Sequence, residues 1–340
     1  MKILLAPDSF KGSLSAGEII DIASVVLREK YPGVKLTPAA LADGGEGSLE
    51  AVALSLKAEK VELPVNDPLG RPVDSCYLIN KKNNTSYIEL ARASGLSLVM
   101  RKADIMNSGT YGTGELIRDA IQKGSEKIIL FIGGSATNDA AMGIAHALGC
   151  RFLDSKKDVL EPVAKNMTRV REIDMSNSAI KSGEAEIIVA SDVNNPFCGR
   201  KGAAYVYAPQ KGANGNEVAD MDRGLKNMSG LFKKQLNTDV DHIPGSGAAG
   251  GAGGGLAAMF DASIVSGAEL IFELVNIKEK IINTDLVITG EGMIDEQTAN
   301  HKLVYHLAKI AGVYGKKVYA VCGFFDGNES LKKKLGLEEV

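Results

Sequence analysis

Residues 1–16 read MKILLAPDSFKGSLSA. Lys2 to Ala6 form a short apolar run, the pattern of a strand covered on both faces. Ser15 then opens an S-x-x-E pattern closed by Glu18, a reciprocal cap that starts a helix. An acid, three hydroxyls and Lys11 fall around this connection, more polar chemistry than a turn and a cap require. The stretch therefore reads as strand, functional loop, helix. Ile19, Ile22, Ala23 and Val26 supply the apolar face expected of the helix, and Tyr31-Pro32-Gly33 ends it.

The same grammar returns along the chain. A second strand-like stretch runs towards Leu41 and ends in ADGGEG (42–47), followed by a helix with Leu49, Val52, Ala53 and Leu56 on one face. KIILFIGGSATND places a buried strand at 127–132, a Gly-Gly-Ser turn, and a helix after Asn138-Asp139. Another strand ends near Ser191 and presents Asp192. One ending near Thr289 presents Glu291 and Asp295, and KVYAVCG, from 317, is one more. Alternating strands and helices predict an α/β fold with mostly parallel sheets and right-handed crossovers. Between 61 and 274 the texture changes, with turn-like NDPLG (66–70) and long polar stretches. The expected division is a discontinuous domain, 1–60 and 275–340, with a second domain, 61–274, inserted into it.

Composition narrows the class. The 340 residues are 45% hydrophobic and 24% charged with a formal net charge of -3, which gives no overall attraction to nucleic acid or anionic membrane. No apolar run approaches the ~20 residues of a membrane span, and MKILLAPDSF meets Asp8 too early for a signal peptide. Cys76, Cys150, Cys198 and Cys322 are scattered without a C-x-x-C pair, which argues against structural zinc and for a reduced, cytoplasmic setting.

In parallel sheets ligands bind beyond the carboxyl ends of the strands. Five such ends carry Asp8, Asp43, Ser135, Asp192 and Glu291, several beside glycines, and suggest a common site for an anionic ligand and a metal. A lysine near a helix N-terminus neutralises phosphate, so Lys11 is a candidate; the bland alternative is a solvated side chain on a capped turn. Asp43 and Glu46 flank two glycines and suit Mg²⁺ or a substrate hydroxyl; otherwise they simply favour a helix start. A G-x-x-x-x-G-K-[ST] phosphate loop is absent. GSGAAG (245–250) matches G-x-G-x-x-G, but polar DVDHIP precedes it where a dinucleotide site needs a buried strand. His146, His242, His301 and His306 lack metal-ligand spacing, and Cys198 reads as a packed residue rather than a nucleophile.

As a set, APDSFKGSLSA, LADGGEG, GTGELIRDAI, GGSATND, SDVNNPFCGRKGA, APQKGA and ITGEGMIDEQT resemble, in this order, the bacterial glycerate kinase family, which has no P-loop. The resemblance covers essentially the whole chain. It implies a discontinuous Rossmann-like domain with a second α/β domain inserted, and transfer of the ATP γ-phosphate to D-glycerate with Mg²⁺. The 2-phosphoglycerate product is expected over 3-phosphoglycerate. Catalytic candidates are Asp192 (the base), Lys11, Asp43 and Asp295, with Asp43 and Asp192 as metal ligands. Candidates for binding substrate or nucleotide are Asp8, Ser9, Gly44, Gly45, Glu46, Gly133, Gly134, Ser135, Asn138, Asp139, Gln210, Lys211, Gly290 and Glu291. Three departures stand out: Met293 where the family has arginine, with Asn300-His301-Lys302 nearby; Ala140-Ala141 for a glycine pair, a mild change; and an end at GLEEV where family members continue. That end is expected to leave an open sheet edge, available for a homo-oligomer or another chain. The alternatives are a catalytically impaired binder of small acids or nucleotide, and an NAD-dependent hydroxy-acid oxidoreductase resting on GSGAAG alone.

Overall fold

The computed structural model describes residues 1–100, 103–180, 185–299 and 303–340, so Asn300, His301 and Lys302 lie outside the described residues. In chain order the strands are β1 (Lys2–Pro7), β2 (Lys35–Pro38), β3 (Glu59–Asn66), β4 (Pro72–Asn80), β5 (Thr85–Glu89), β6 (Lys127–Phe131), β7 (Arg151–Leu153), β8 (Glu172–Asp174), β9 (Glu186–Ala190), β10 (Ser263–Val265), β11 (Leu286–Ile294) and β12 (Lys317–Phe325). They fall into two compact units, Met1–Lys57 with Gly267–Val340, and Ala58–Ser266. The fold is α/β, a discontinuous Rossmann-like parallel-sheet domain with a second α/β domain inserted.

The discontinuous unit holds a sheet of order β12-β11-β1-β2 with every pairing parallel. β1 lies between two neighbours, and Ile3 to Pro7 are buried without alternation, the pattern of a parallel strand covered on both faces. Helix Ala16–Lys30 crosses from β1 to β2 and helix Leu303–Val313 from β11 to β12. The Ser15 cap forms as read: Ser15 Oγ accepts from Glu18 N at 3.2 Å, and Glu18 Oε2 accepts from Ser15 N at 2.8 Å. Ser15→Ala is expected to cost about 1 kcal/mol, read as a lower urea midpoint; an unchanged midpoint would show that the cap contributes nothing net.

Three readings are corrected here. The first helix buries Ala16 and Ile20, with Ala23 and Leu27 half-buried along the same stripe, while Ile22 and Val26 are 54% and 47% exposed. Spacings of four, three and four residues set that face, so Ile22 and Val26 lie one step out of phase with it, while Ile19 is half-buried beside Ile20. Helix Ser48–Ser55 buries Leu49 and Val52 but leaves Ala53 exposed. β11 does not end near Thr289: pairing with β12 continues to Ile294 opposite Phe325, which puts Gly290 and Glu291 inside a strand. Met293 lies in the same stretch, 43% exposed and opposite Phe324. Beyond β12, Glu338 N donates to Val318 O and Ala320 N to Glu339 O, so residues 338–339 run along part of its outer edge, while Val321 and Phe324 are exposed.

The inserted unit holds a mixed sheet of order β10-β9-β6-β5-β4-β3. β3, β4 and β5 pair antiparallel, and β5, β6, β9 and β10 pair parallel. Its core includes Phe152, Phe197 and Phe232, with Phe197 edge-on to Phe232 at 6.0 Å. The segment Ala248–Phe260, helical apart from a left-handed kink at Ala249, Gly250 and Gly251, carries a run of glycines because its neighbours come within backbone distance. A Cβ on Gly255 would sit 2.0 Å from Ala140 O, and one on Gly254 2.6 Å from the Phe197 ring.

Candidate active site

In the discontinuous unit the carboxyl end of β1 presents Asp8, 7% exposed. Asp8 N donates to Gly290 O at 2.9 Å, which ties the loop start to β11. Its Oδ1 accepts from Ser9 N at 2.6 Å and from Ser9 Oγ at 3.4 Å. Lys11 reaches Asp43 Oδ2 at 3.1 Å, and Asp43 Oδ1 accepts from Gly45 N at 3.2 Å. The two loops singled out on sequence thus meet through one ion pair. Gly44 has a φ of +84°, and a Cβ on Gly267 would lie 2.5 Å from Asp43 O, so the acidic loop is held by close backbone contact. Glu46 is exposed beside it.

The electrostatics follow from this packing. Burial, aided by the charge of Asp43 and opposed by Lys11 and the Ser9 N–H, pushes Asp8 up to about 7; Glu291 adds to the rise. Asp43 in turn raises Lys11, with Asp8 and Glu46 contributing in the same direction. Glu291 accepts from Thr298 Oγ1 at 2.8 Å. Asp295 folds the following turn: its Oδ1 accepts from Gln297 N at 2.8 Å and Thr298 N at 3.1 Å. With Glu296, Gln297 and Asp326 it lines a polar cleft of ≈440 Å³.

In the inserted unit the loop after β6 carries Gly133, Gly134, Ser135, Asn138 and Asp139. Gly134 is exposed, and the chain is buried from Ser135 onward. Lys211, 5% exposed, donates to Ser135 Oγ at 2.7 Å and Thr137 O at 2.8 Å. Burial pulls it down to about 7, opposed by the charge of Asp139. Gln210 beside it is exposed. Asp139 is fully buried and raised by that burial; its Oδ2 accepts from Thr110 N and Oγ1, each at 2.8 Å, and from Gly143 N at 3.0 Å. At the end of β9, Asp192 is exposed and accepts from Ser266 Oγ at 2.8 Å.

Ala140 and Ala141 have φ of +53° and +60°. Replacing a glycine pair there is not mild, since each left-handed alanine costs roughly 1 kcal/mol or more. GSGAAG fails as a dinucleotide fingerprint. A turn of 3-10 helix, Val240–His242, precedes it rather than a strand, and a Cβ on Gly247 or Gly250 would strike Pro196 O or Thr137 O. Cys198 donates to Asp241 and is pushed up to about 12 by burial and that carboxylate, so it is no thiolate nucleophile.

Three residues escaped the sequence reading. Thr110 orders Asp139 and lies two residues before the quoted GTGELIRDAI. Ser246 is buried in the glycine-rich segment. Glu89, 3% exposed at the carboxyl end of β5, is a strand-end acid that the run TSYIE could have signalled. Among the described residues no helix is long and apolar enough to cross a membrane, and no group of three or more His, Cys, Asp or Glu stands ready for a metal ion.

A two-domain α/β chain with charged strand ends and no P-loop has a counterpart among known proteins. Residues 3–340 match the glycerate kinase family. The glycerate kinase of Halalkalibacterium halodurans is 41% identical over 94% of this chain and 85% of its own length. The glycerate 2-kinase of Escherichia coli K12 is 37% identical over 100% of this chain and 90% of its own. A solved structure from Salmonella typhimurium LT2, described as a glycerate kinase 2, superposes with a TM-score of 0.88 at 37% identity, covering 100% of this chain and 89% of that one. The chain belongs to the glycerate kinase family.

Proposed function

We propose that the chain is an alcohol-group phosphotransferase that moves the γ-phosphate of ATP to a hydroxyl of D-glycerate with Mg²⁺, giving 2-phosphoglycerate rather than 3-phosphoglycerate. The observation that carries this reading is the family match across residues 3–340. The 2-position is supported by the relative from E. coli, a glycerate 2-kinase.

Phosphoryl transfer asks a protein for positioning, charge neutralisation and a base for the attacking hydroxyl. Lys11, exposed on the loop after β1, neutralises phosphate charge. Mg²⁺ needs only one or two protein carboxylates beside phosphate oxygens and water. Asp43 fits that demand, since Asp8 is close enough to feel its charge and the donors are oxygen alone; bound there, the ion would offset the charge of the phosphates. Asp192 takes the proton of the acceptor hydroxyl, oriented by the Ser266 hydrogen bond.

Purified chain given Mg-ATP and D-glycerate is expected to release ADP, and NMR of the product to place the phosphate on C2. A product phosphorylated only at C3 would reverse the positional assignment. Folded chain that gains thermal stability from nucleotide but makes no product would instead be an impaired binder.

A further inference from the structure

The polar knot around Lys211 has more hydrogen-bonding capacity than the protein itself fills. Asn138 is 1% exposed, and neither its Oδ1 nor its Nδ2 has a protein partner. Thr137 Oγ1 and Asp139 Oδ1, on either side of it, are also buried and unpaired, as is Ser246 Oγ. Ser246 belongs to the segment whose Gly250 abuts Thr137 O and the Asn138 Cα. Lys211 donates two hydrogen bonds and has a third N–H to give. Buried polar groups are almost always paired, with protein, water or ligand, so this many orphans on one short loop point to partners from outside the chain.

We propose that this knot reads the α-hydroxycarboxylate end of the acceptor: Lys211 meets the carboxylate, and Asn138 accepts from the α-hydroxyl while donating to an acid oxygen. The assignment rests on the proposed function and adds which residues recognise the acid. Its chemistry follows from the groups present. A side-chain amide is satisfied on both atoms only by a partner that both donates and accepts. A hydroxyl beside a carboxylate does so, whereas ionised phosphate oxygens only accept and would leave Oδ1 unpaired. One buried cation matches a monoanion, while a triphosphate would crowd several negative charges against Asp139. Burial holds Lys211 near 7 against the pull of Asp139 alone, and a ligand carboxylate adds to that pull. Gly133 and Gly134, just before Ser135, reach the surface and mark where the buried loop begins.

Titration calorimetry on the full chain tests this without turnover. D-Glycerate and D-lactate, which share the α-hydroxycarboxylate, are expected to bind. Glycerol, lacking the acid, and 3-hydroxypropionate, lacking the α-hydroxyl, bind at least about ten-fold more weakly. Lys211→Met and Asn138→Ala each weaken D-glycerate by about 10- to 100-fold and leave the affinity for Mg-ATP within two-fold. Asn138→Ala also keeps or raises the melting temperature, because it deletes two orphaned atoms; if Lys211→Met does not fold, this variant carries the test. A lower melting temperature with unchanged D-glycerate affinity would make the knot structural. A loss that falls on Mg-ATP would make it a nucleotide site. Either result overturns the proposal. A chain that binds α-hydroxy acids in this pattern yet fails to phosphorylate D-glycerate would sink the kinase reading and keep the acid site.

Discussion

Asp192→Asn is expected to lower kcat for D-glycerate phosphorylation by about 10²- to 10⁴-fold, the range a positioned general base supplies. The carboxylate stands at the end of β9, exposed, so the change touches no core packing. Asparagine keeps the shape and an oxygen for the Ser266 hydroxyl, which now donates to Asp192 Oδ1 at 2.8 Å. What it cannot do is take a proton. The effect should therefore appear in kcat, with KM for both substrates and the melting temperature little changed. Ser266→Ala leaves the base in place and removes only its orientation, so a smaller loss in kcat is expected from it. Turnover by Asp192→Asn within three-fold of the parent chain would remove Asp192 from the base role and leave the strand-end position without a chemical purpose.

The strand–loop–helix units were legible because their signals are local. Lys2 to Ala6 read as a buried strand, and the Ser15–Glu18 box was visible within four letters. Signals that depend on distant partners were not. GEGMI reads as a loop, yet it is strand because β12 lies alongside as far as Phe325. The antiparallel β3-β4-β5 edge of the second sheet breaks the alternating grammar, and nothing in 61–89 announced its order. On the first helix, apolar letters misled: Ile22 and Val26 are as oily as Ile20, but only the stripe through Ala16 and Ile20 meets the sheet. The site divides the same way. Asp8, Asp43 and Asp192 follow strands, so their placement could be read. Lys211 could be named from APQKGA, but its burial could not, because a lysine between Gln210 and Gly212 looks solvated until the loop around Ser135 is folded over it. The alanines at 140 and 141 looked harmless for the same reason, since φ is not written in a sequence.

Asp8→Asn is expected to stabilise the discontinuous unit at pH 8 by about 4 kcal/mol, with little effect at pH 4. Folding lifts Asp8 from 3.8 to about 7, chiefly by burial and then by the charge of Asp43. A carboxyl raised on folding favours the protonated native state. Its contribution is full below about pH 4, declines as the pH climbs through 7, and leaves a fixed penalty above that. Asparagine keeps the volume and carries no charge, so it escapes the penalty. Urea midpoints of both chains in EDTA, taken at half-unit steps from pH 4 to 8.5, give a difference curve in which other titrating groups, Asp139 among them, largely cancel. That difference should open between 4 and 7 and then stay level. A difference flat across the whole range would mean that Asp8 is ionised and accommodated, through Lys11 or the Ser9 N–H, more cheaply than its burial suggests. Adding Mg²⁺ at pH 8 sharpens the question. A cation beside Asp8 and Asp43 relieves the repulsion in the parent chain, so the parent should recover stability that Asp8→Asn, with one charge fewer to relieve, does not. Equal shifts in the two chains would show that the ion, wherever it binds, does not feel Asp8, and the loop after β1 would then answer to Lys11 alone.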